Sequence, residues 1–266
     1  MQKFKRFASI AFTCIVSLTF FPVFHAKVSA QTKDITIYQY RYVPDNKIEE
    51  FLKRETTHWS KVAERASKAK TMTFWAVLQK VGGHDLPNSP NFLFINTFPD
   101  IDKIESVFTD VEGVAGVKMQ EMETNSLSTT TSQFFLQQRN WVQDVKADPS
   151  KDFNYVVFNY QNTNYQDSMI TLEKKHWEPF ILKAMNNDHT PQQAWGNAVV
   201  LSPMGEDIKF TTVSYDIYKN LKDALLPSWD PKVVFPVKLF PMLDKIAPSR
   251  RGIEIYRIVK VVSTPE

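Results

Sequence analysis

The sequence predicts an α+β fold in which one unit of order βαββαβ is used twice. Three observations carry that expectation. The pattern Glu-x-x-His-Trp occurs as Glu55–His58–Trp59 and again as Glu173–His176–Trp177. Around it the chain matches itself at a nearly constant offset, Phe51 falling on Met169, Leu52 on Ile170, Trp59 on Trp177 and Val62 on Phe180. Each copy also opens with aromatic and β-branched residues at alternate positions, the pattern of a half-buried strand. Self-similarity at a fixed period marks a repeated unit before any element is assigned.

The opening strands are Ile35–Tyr42 and Asn154–Tyr160. Each leads through an Asn-containing turn into a long amphipathic pattern. Its apolar stripe is Ile48, Phe51, Leu52, Trp59, Val62, Ala63 and Ala66 in the first copy, and Met169, Ile170, Trp177, Phe180, Ile181 and Ala184 in the second. These spacings follow the 3.6-residue period of a helix with one buried face. A strand built on tryptophan follows, Phe74–Leu78 with Trp75 and Ala194–Val200 with Trp195, then a polar loop and a third strand, Phe92–Phe98 matched to Thr212–Tyr218. Asp100 and Asn220 next offer side-chain oxygens to cap a helix start. A variable helical region and a last strand, Gln133–Val142 or Gly252–Val262, close each copy. The order is that of the ferredoxin-like split unit. The expected boundaries are residues 31–142 and 154–266, with a polar linker at 143–153.

Residues 1–30 read as an export signal: Lys3, Lys5 and Arg6, an apolar run from Ala8 to Phe24 broken by Pro22, and small residues at Val28-Ser29-Ala30. The run is short for a membrane span. The segment holds four basic residues and no acidic one, so removing it takes the chain's 32 basic residues below its 29 acidic ones. The slight basicity therefore belongs to the signal and gives no reason to expect a nucleic-acid partner. Cys14, the single cysteine, lies in the same segment, which leaves a mature chain without disulfide or thiolate chemistry. No Asn-x-Ser/Thr acceptor occurs, which favours a periplasmic or secreted protein of a bacterial envelope. P-loop, dinucleotide and Ser/His/Asp signatures are absent.

The paired units resemble the dimeric α+β barrel superfamily in fused form, in which two four-stranded sheets face each other, close a barrel and carry their helices outside. The resemblance covers nearly all of residues 33–262 and rests on element order and on the strand, helix, tryptophan-strand layout. It implies a pseudo-dimeric barrel, with NIPSNAP-type and related exported proteins as the nearest in character. Chlorite dismutase, another duplicated member, binds haem through a histidine, but its motif is not matched here. The superfamily holds monooxygenases, decarboxylases and proteins without known activity, so the fold does not choose among them.

Glu55 and Glu173 fall inside the apolar stripe, between Leu52 and Trp59 and between Ile170 and Trp177. Burial beside tryptophan disfavours a carboxylate's charged form. His58 and His176, three residues on, are within reach at helical spacing. Each pair is therefore a candidate for acid–base chemistry, with Trp59, Trp75, Trp177 and Trp195 as candidate walls of a ligand site. Three readings stay open. The pair holds a small apolar or aromatic ligand between helix and sheet. It satisfies hydrogen bonds in a structural or interaction module. It belongs to a haem or metal site, against which stands the lack of a third clustered His or Cys ligand. The cofactor, the oligomeric state and any turnover are left open. His84 and His189 read as solvated loop residues, Trp229 as a loop anchor and Arg250-Arg251 as a weak anion signal.

Overall fold

A computed structural model describes residues 33–82, 89–205 and 208–264, with the backbone alone at 249–251. The expected signal, Cys14 and His84 lie outside the described residues, as do the side chains of Arg250 and Arg251. The first half runs β1 (Ile35–Tyr42), a helix made of α1 (Ile48–Arg54), a π-helical turn (Glu55–Trp59) and α2 (Ser60–Lys68), then β2 (Phe74–Lys80) and β3 (Phe92–Phe98). A 3-10 segment (Ile101–Phe108) and two short helices, α3 (Val111–Ala115) and α4 (Met119–Met122), lead to β4 (Thr129–Gln143). After a one-turn helix, α5 (Pro149–Asp152), come β5 (Tyr155–Asn162), α6 (Gln166–Leu172), a second π-helical turn (Glu173–Trp177) and α7 (Glu178–Asn186). The chain ends through β6 (Gln192–Ser202), β7 (Thr212–Tyr218), α8 (Leu221–Leu225), α9 (Leu239–Ile246) and β8 (Ser249–Ser263).

The eight strands close one antiparallel barrel in the order β1-β3-β2-β8-β5-β7-β6-β4. Read from β4, this is the quartet β4-β1-β3-β2 followed by β8-β5-β7-β6, the same order twice. The quartets are joined where β2 pairs with β8 and β6 with β4. Closure leaves no free sheet edge, the usual route by which a strand recruits another chain. Among the described residues no helix is long and apolar enough to cross a membrane.

The pleat divides the core into layers. Inside the barrel Tyr38, Tyr40, Phe134, Phe158, Tyr160 and Tyr256 pack together. Tyr40 and Tyr160, equivalent positions of the two halves, meet hydroxyl to hydroxyl at 2.9 Å. Equivalent residues can touch each other only at the axis relating them, so this contact marks an approximate two-fold through the barrel. The fill depends on local partners. A Cβ at Gly196 would stand 2.5 Å from the Tyr215 hydroxyl of the residue paired with it, whereas the first half sets Ala76 opposite Ile95. Outside the barrel, the long helices press their stripes onto the sheet and reach across its joints, α2 lying against β8 and α7 against both β6 and β4. In the first half Phe51, Val62, Trp75, Val77, Phe92 and Phe94 form a core there. Each fully buried side chain of that size contributes roughly 1.5–3 kcal/mol.

One local expectation is corrected. Asp100 does cap, accepting from the Asp102 amide at 3.2 Å, but Asn220 makes no side-chain cap and instead donates to Asp223 Oδ2 at 3.0 Å. The expected linker, 143–153, carries one helical turn. Asp148 caps α5, accepting from the Ser150 amide at 3.0 Å.

Candidate functional site

The two glutamates of the repeated pattern sit at the start of the two π-helical turns and are both buried, Glu55 to 4% exposure and Glu173 to 6%. A π-helical turn is wider than an α turn and is frequent at functional sites. Pro179 begins α7, but the first half makes the same turn with Lys61 in the matching place, so proline is not its cause. The wider turn alters which neighbours meet. The residue three on falls further short of a full turn than in an α-helix, while the residue four on comes nearly underneath. Glutamate and tryptophan thus share a face, and the expected glutamate–histidine contact is not made. Glu55 accepts from Thr124 Oγ1 at 2.8 Å and Glu173 from Asn197 Nδ2 at 2.7 Å. His58 is half-buried with its Nδ1 enclosed and unpartnered, and His176 is half-buried outside the pocket described next.

A cavity of about 460 Å³ lies between helix and sheet in the second half. The helix side supplies Met169, Glu173 and Trp177, and α9 roofs it with Phe240 and Leu243. The sheet supplies Gln161 and Asn159 from β5, Trp195 from β6, and Ser214 and Asp216 from β7. The Thr163 hydroxyl, donating to the Ile246 carbonyl, ties the end of α9 to the chain just beyond β5. Loop residue Trp229 stacks on Phe180 at 5.8 Å between centroids, which anchors the segment leading into α9. Of the sequence candidates, the cavity gathers Glu173, Trp177 and Trp195.

The equivalent place in the first half is filled. There Phe51 stands for Met169, Phe92 for Thr212 and Phe94 for Ser214, and Phe51 lies 5.0 Å from Phe92 and 5.9 Å from Phe94 between ring centroids. Trp75 is part of that core. Trp59 Nε1 donates to the Met122 carbonyl at 2.7 Å, so its polar end is occupied.

Both glutamates are pushed up to about 7 by burial, but their surroundings differ in sign. Arg41 partly offsets the effect at Glu55. Its guanidinium reaches Thr124 Oγ1, the donor to Glu55, at 3.2 Å, and lies 5.0 Å from the centroid of the Phe94 ring. At Glu173 the second charge is negative: Asp216 pushes it further up and is itself raised to about 6 by burial. Gln192 Nε2 and Asn159 Nδ2 donate to the two oxygens of Asp216 at 2.7 and 2.9 Å. Both carboxyls are thus poised for proton exchange near neutral pH.

Sequence reasoning missed Asn197, Asp216, Gln161 and Ser214. The signal lay in the places where the two halves differ: Val77 against Asn197, Asn96 against Asp216, Arg41 against Gln161 and Phe94 against Ser214. Among the described residues no three His, Cys, Asp or Glu side chains gather closely enough to hold a metal ion, and no histidine lines the cavity, so haem ligation through histidine finds no ligand there.

Fold and site together define an α+β protein with a closed eight-stranded barrel, similar to dimeric α+β barrel proteins. Solved structures with this fold include an anthrone oxidase-like protein, at a TM-score of 0.55 and 14% identity over 90% of this chain and 97% of the other. A candidate monooxygenase of Lactobacillus acidophilus NCFM gives a TM-score of 0.55 at 11% identity, covering 87% and 96% of the two chains. A second candidate monooxygenase, from Fusobacterium nucleatum, gives 0.50 at 8% identity, covering 86% and 94%. No family model matches the sequence, and no curated protein matches it at a significant level. Identities this low speak for the fold alone.

Proposed function

We propose that this protein binds a small, largely apolar or aromatic molecule in the cavity between the second long helix and its sheet, with Glu173 as the proton-exchanging group. The observation that carries this is the cavity itself. It opens where the second half replaces a core phenylalanine, Phe94, by Ser214, and it keeps the buried glutamate. Its volume falls in the range of small-molecule sites, and its walls combine aromatic faces with a few convergent polar groups. That proteins of this fold bear oxidase and monooxygenase names supports a small-molecule role for such a barrel.

In the same reading residues 31–142 and 154–266 are two copies of one ferredoxin-like unit, joined by 143–153, and residues 1–30 direct export to the periplasm or beyond. Glu55 and Trp59 are then the retained core of the copy that lost, or never had, a cavity. Glu173, half-protonated near neutrality, gives a proton to a ligand atom or takes one from it. Asn197 holds the carboxyl in place through Oε2, and the glutamate lines the cavity. His176 takes no part.

The test is to close the cavity. Ser214→Phe restores the side chain that the first half carries, and native mass spectrometry of protein from its own source reads the outcome. A small molecule should accompany the wild-type chain and be absent from Ser214→Phe. An equal complement of bound molecule in both would rule the cavity out as the site.

A further inference from the structure

The two halves answer the same buried glutamate in opposite ways. In the first, Arg41 projects from the end of β1 beside a ladder irregularity at Tyr40/Arg41, reaches the hydroxyl that bonds Glu55, and rests its guanidinium on the Phe94 ring. The second half has the same irregularity at Tyr160/Gln161, but the residue it projects is the neutral Gln161. The neighbouring strand then supplies a second carboxylate, Asp216, where the first half has Asn96. Among the described residues no Lys, Arg or His lines the cavity that replaces the arginine and its phenylalanine. A site with two carboxyls, no cation among its described lining residues and aromatic walls is complementary to a positive charge supplied from outside.

We propose that the cavity takes an organic cation, a protonated amine on a small apolar or aromatic body, whose ammonium sits between Glu173 and Asp216 in the role that Arg41 plays toward Glu55. Gln161 and Asn159 offer amide oxygens to the same head group. Trp177, Trp195 and Phe240 enclose the body. The aromatic faces attract the ammonium as the Phe94 ring attracts Arg41. The inference rests on the cavity being a binding site, as proposed above, and adds the charge of the ligand.

Three probes of matched shape and different charge separate the two ideas: 2-phenylethylamine, 2-phenylethanol and phenylacetate, titrated calorimetrically into the full mature chain at pH 7.5. The amine should bind about tenfold or more tighter than either of the others. The Glu173→Gln/Asp216→Asn variant, with unchanged circular dichroism, should hold amine and alcohol alike. If amine and alcohol bind wild type equally and Ser214→Phe loses both, the cavity reading stands and the cation is overturned. Tighter binding of phenylacetate overturns the cation as well. Binding of none of the three counts against the cavity reading and against the cation with it.

Discussion

Glu55 and Glu173 occupy the same place in the two halves, yet one is locked into a packed core and the other faces an open cavity. The helices do not make the difference, since both carry the same π-helical turn with glutamate first and tryptophan last. It comes from the sheet. Phe92 and Phe94 fill the space over β3, while Ser214 lines an open cavity over β7. A partner change accompanies the space: Thr124 and Arg41 attend Glu55, and Asn197 and Asp216 attend Glu173. A retained carboxyl is therefore no evidence of function by itself. The side chains across from it decide whether it is buried structure or the acid of a site.

The largest effect expected is on the packed half. Phe94→Ala removes a ring that touches Phe51 and supports Arg41, and a phenylalanine-to-alanine change in such a core costs about 3–5 kcal/mol. Equilibrium urea unfolding would show it. Ser214→Ala, at the equivalent position beside the cavity, opens no comparable void and removes one 3.4 Å hydrogen bond from Gln161, so it should cost about 1 kcal/mol. A loss of several kcal/mol at Ser214 as well would mean that the two sites are packed alike, and the comparison would break.

A smaller effect is expected at the glutamates, and its sign depends on pH. The fold raises each from 4.5 to about 7, so each native carboxyl keeps a proton that the unfolded chain gives up. Below pH 4.5 both states are protonated and nothing is lost. Between 4.5 and 7 the unfolded state alone ionises and stability falls; above 7 the loss is constant, at most about 3 kcal/mol for each residue. Glutamine accepts the same hydrogen bonds and does not ionise. Glu55→Gln and Glu173→Gln should therefore each be more stable than wild type at pH 8, by about 1–3 kcal/mol, with the gain gone by pH 4.5. Thermal unfolding at the two pH values checks this. A gain at Glu173 alone would sharpen the comparison by showing that Arg41 already compensates Glu55, and no gain at either would contradict the burial account.

Much of the fold was legible because period two and period 3.6 are written plainly in these segments. Phe92–Phe98 and Thr212–Tyr218 emerge at the bounds expected from matching one half of the sequence to the other. The joints that close the barrel were not legible, since β2 with β8 and β6 with β4 are pairings between halves that no local pattern specifies. The glutamates and tryptophans were found by their repetition. The histidine contact was expected from α-helical spacing and fails because the wider turn rotates His58 and His176 away from the carboxyls. The cavity escaped notice because it is defined by what is missing: Ser214 reads as an ordinary strand residue until it is set against Phe94.

The most direct test of the central claim is to follow both glutamate side-chain carboxyls by carbon-13 NMR across pH, with and without saturating 2-phenylethylamine. Without it, both should titrate near 7. With it, Glu173, whose neighbours are Asn197 and Asp216, should fall by a unit or more, about 1.4 kcal/mol of interaction per unit, while Glu55 stays where it was. A fall of equal size at both residues, or none at Glu173 under saturation, would contradict the account that only the second half holds a site.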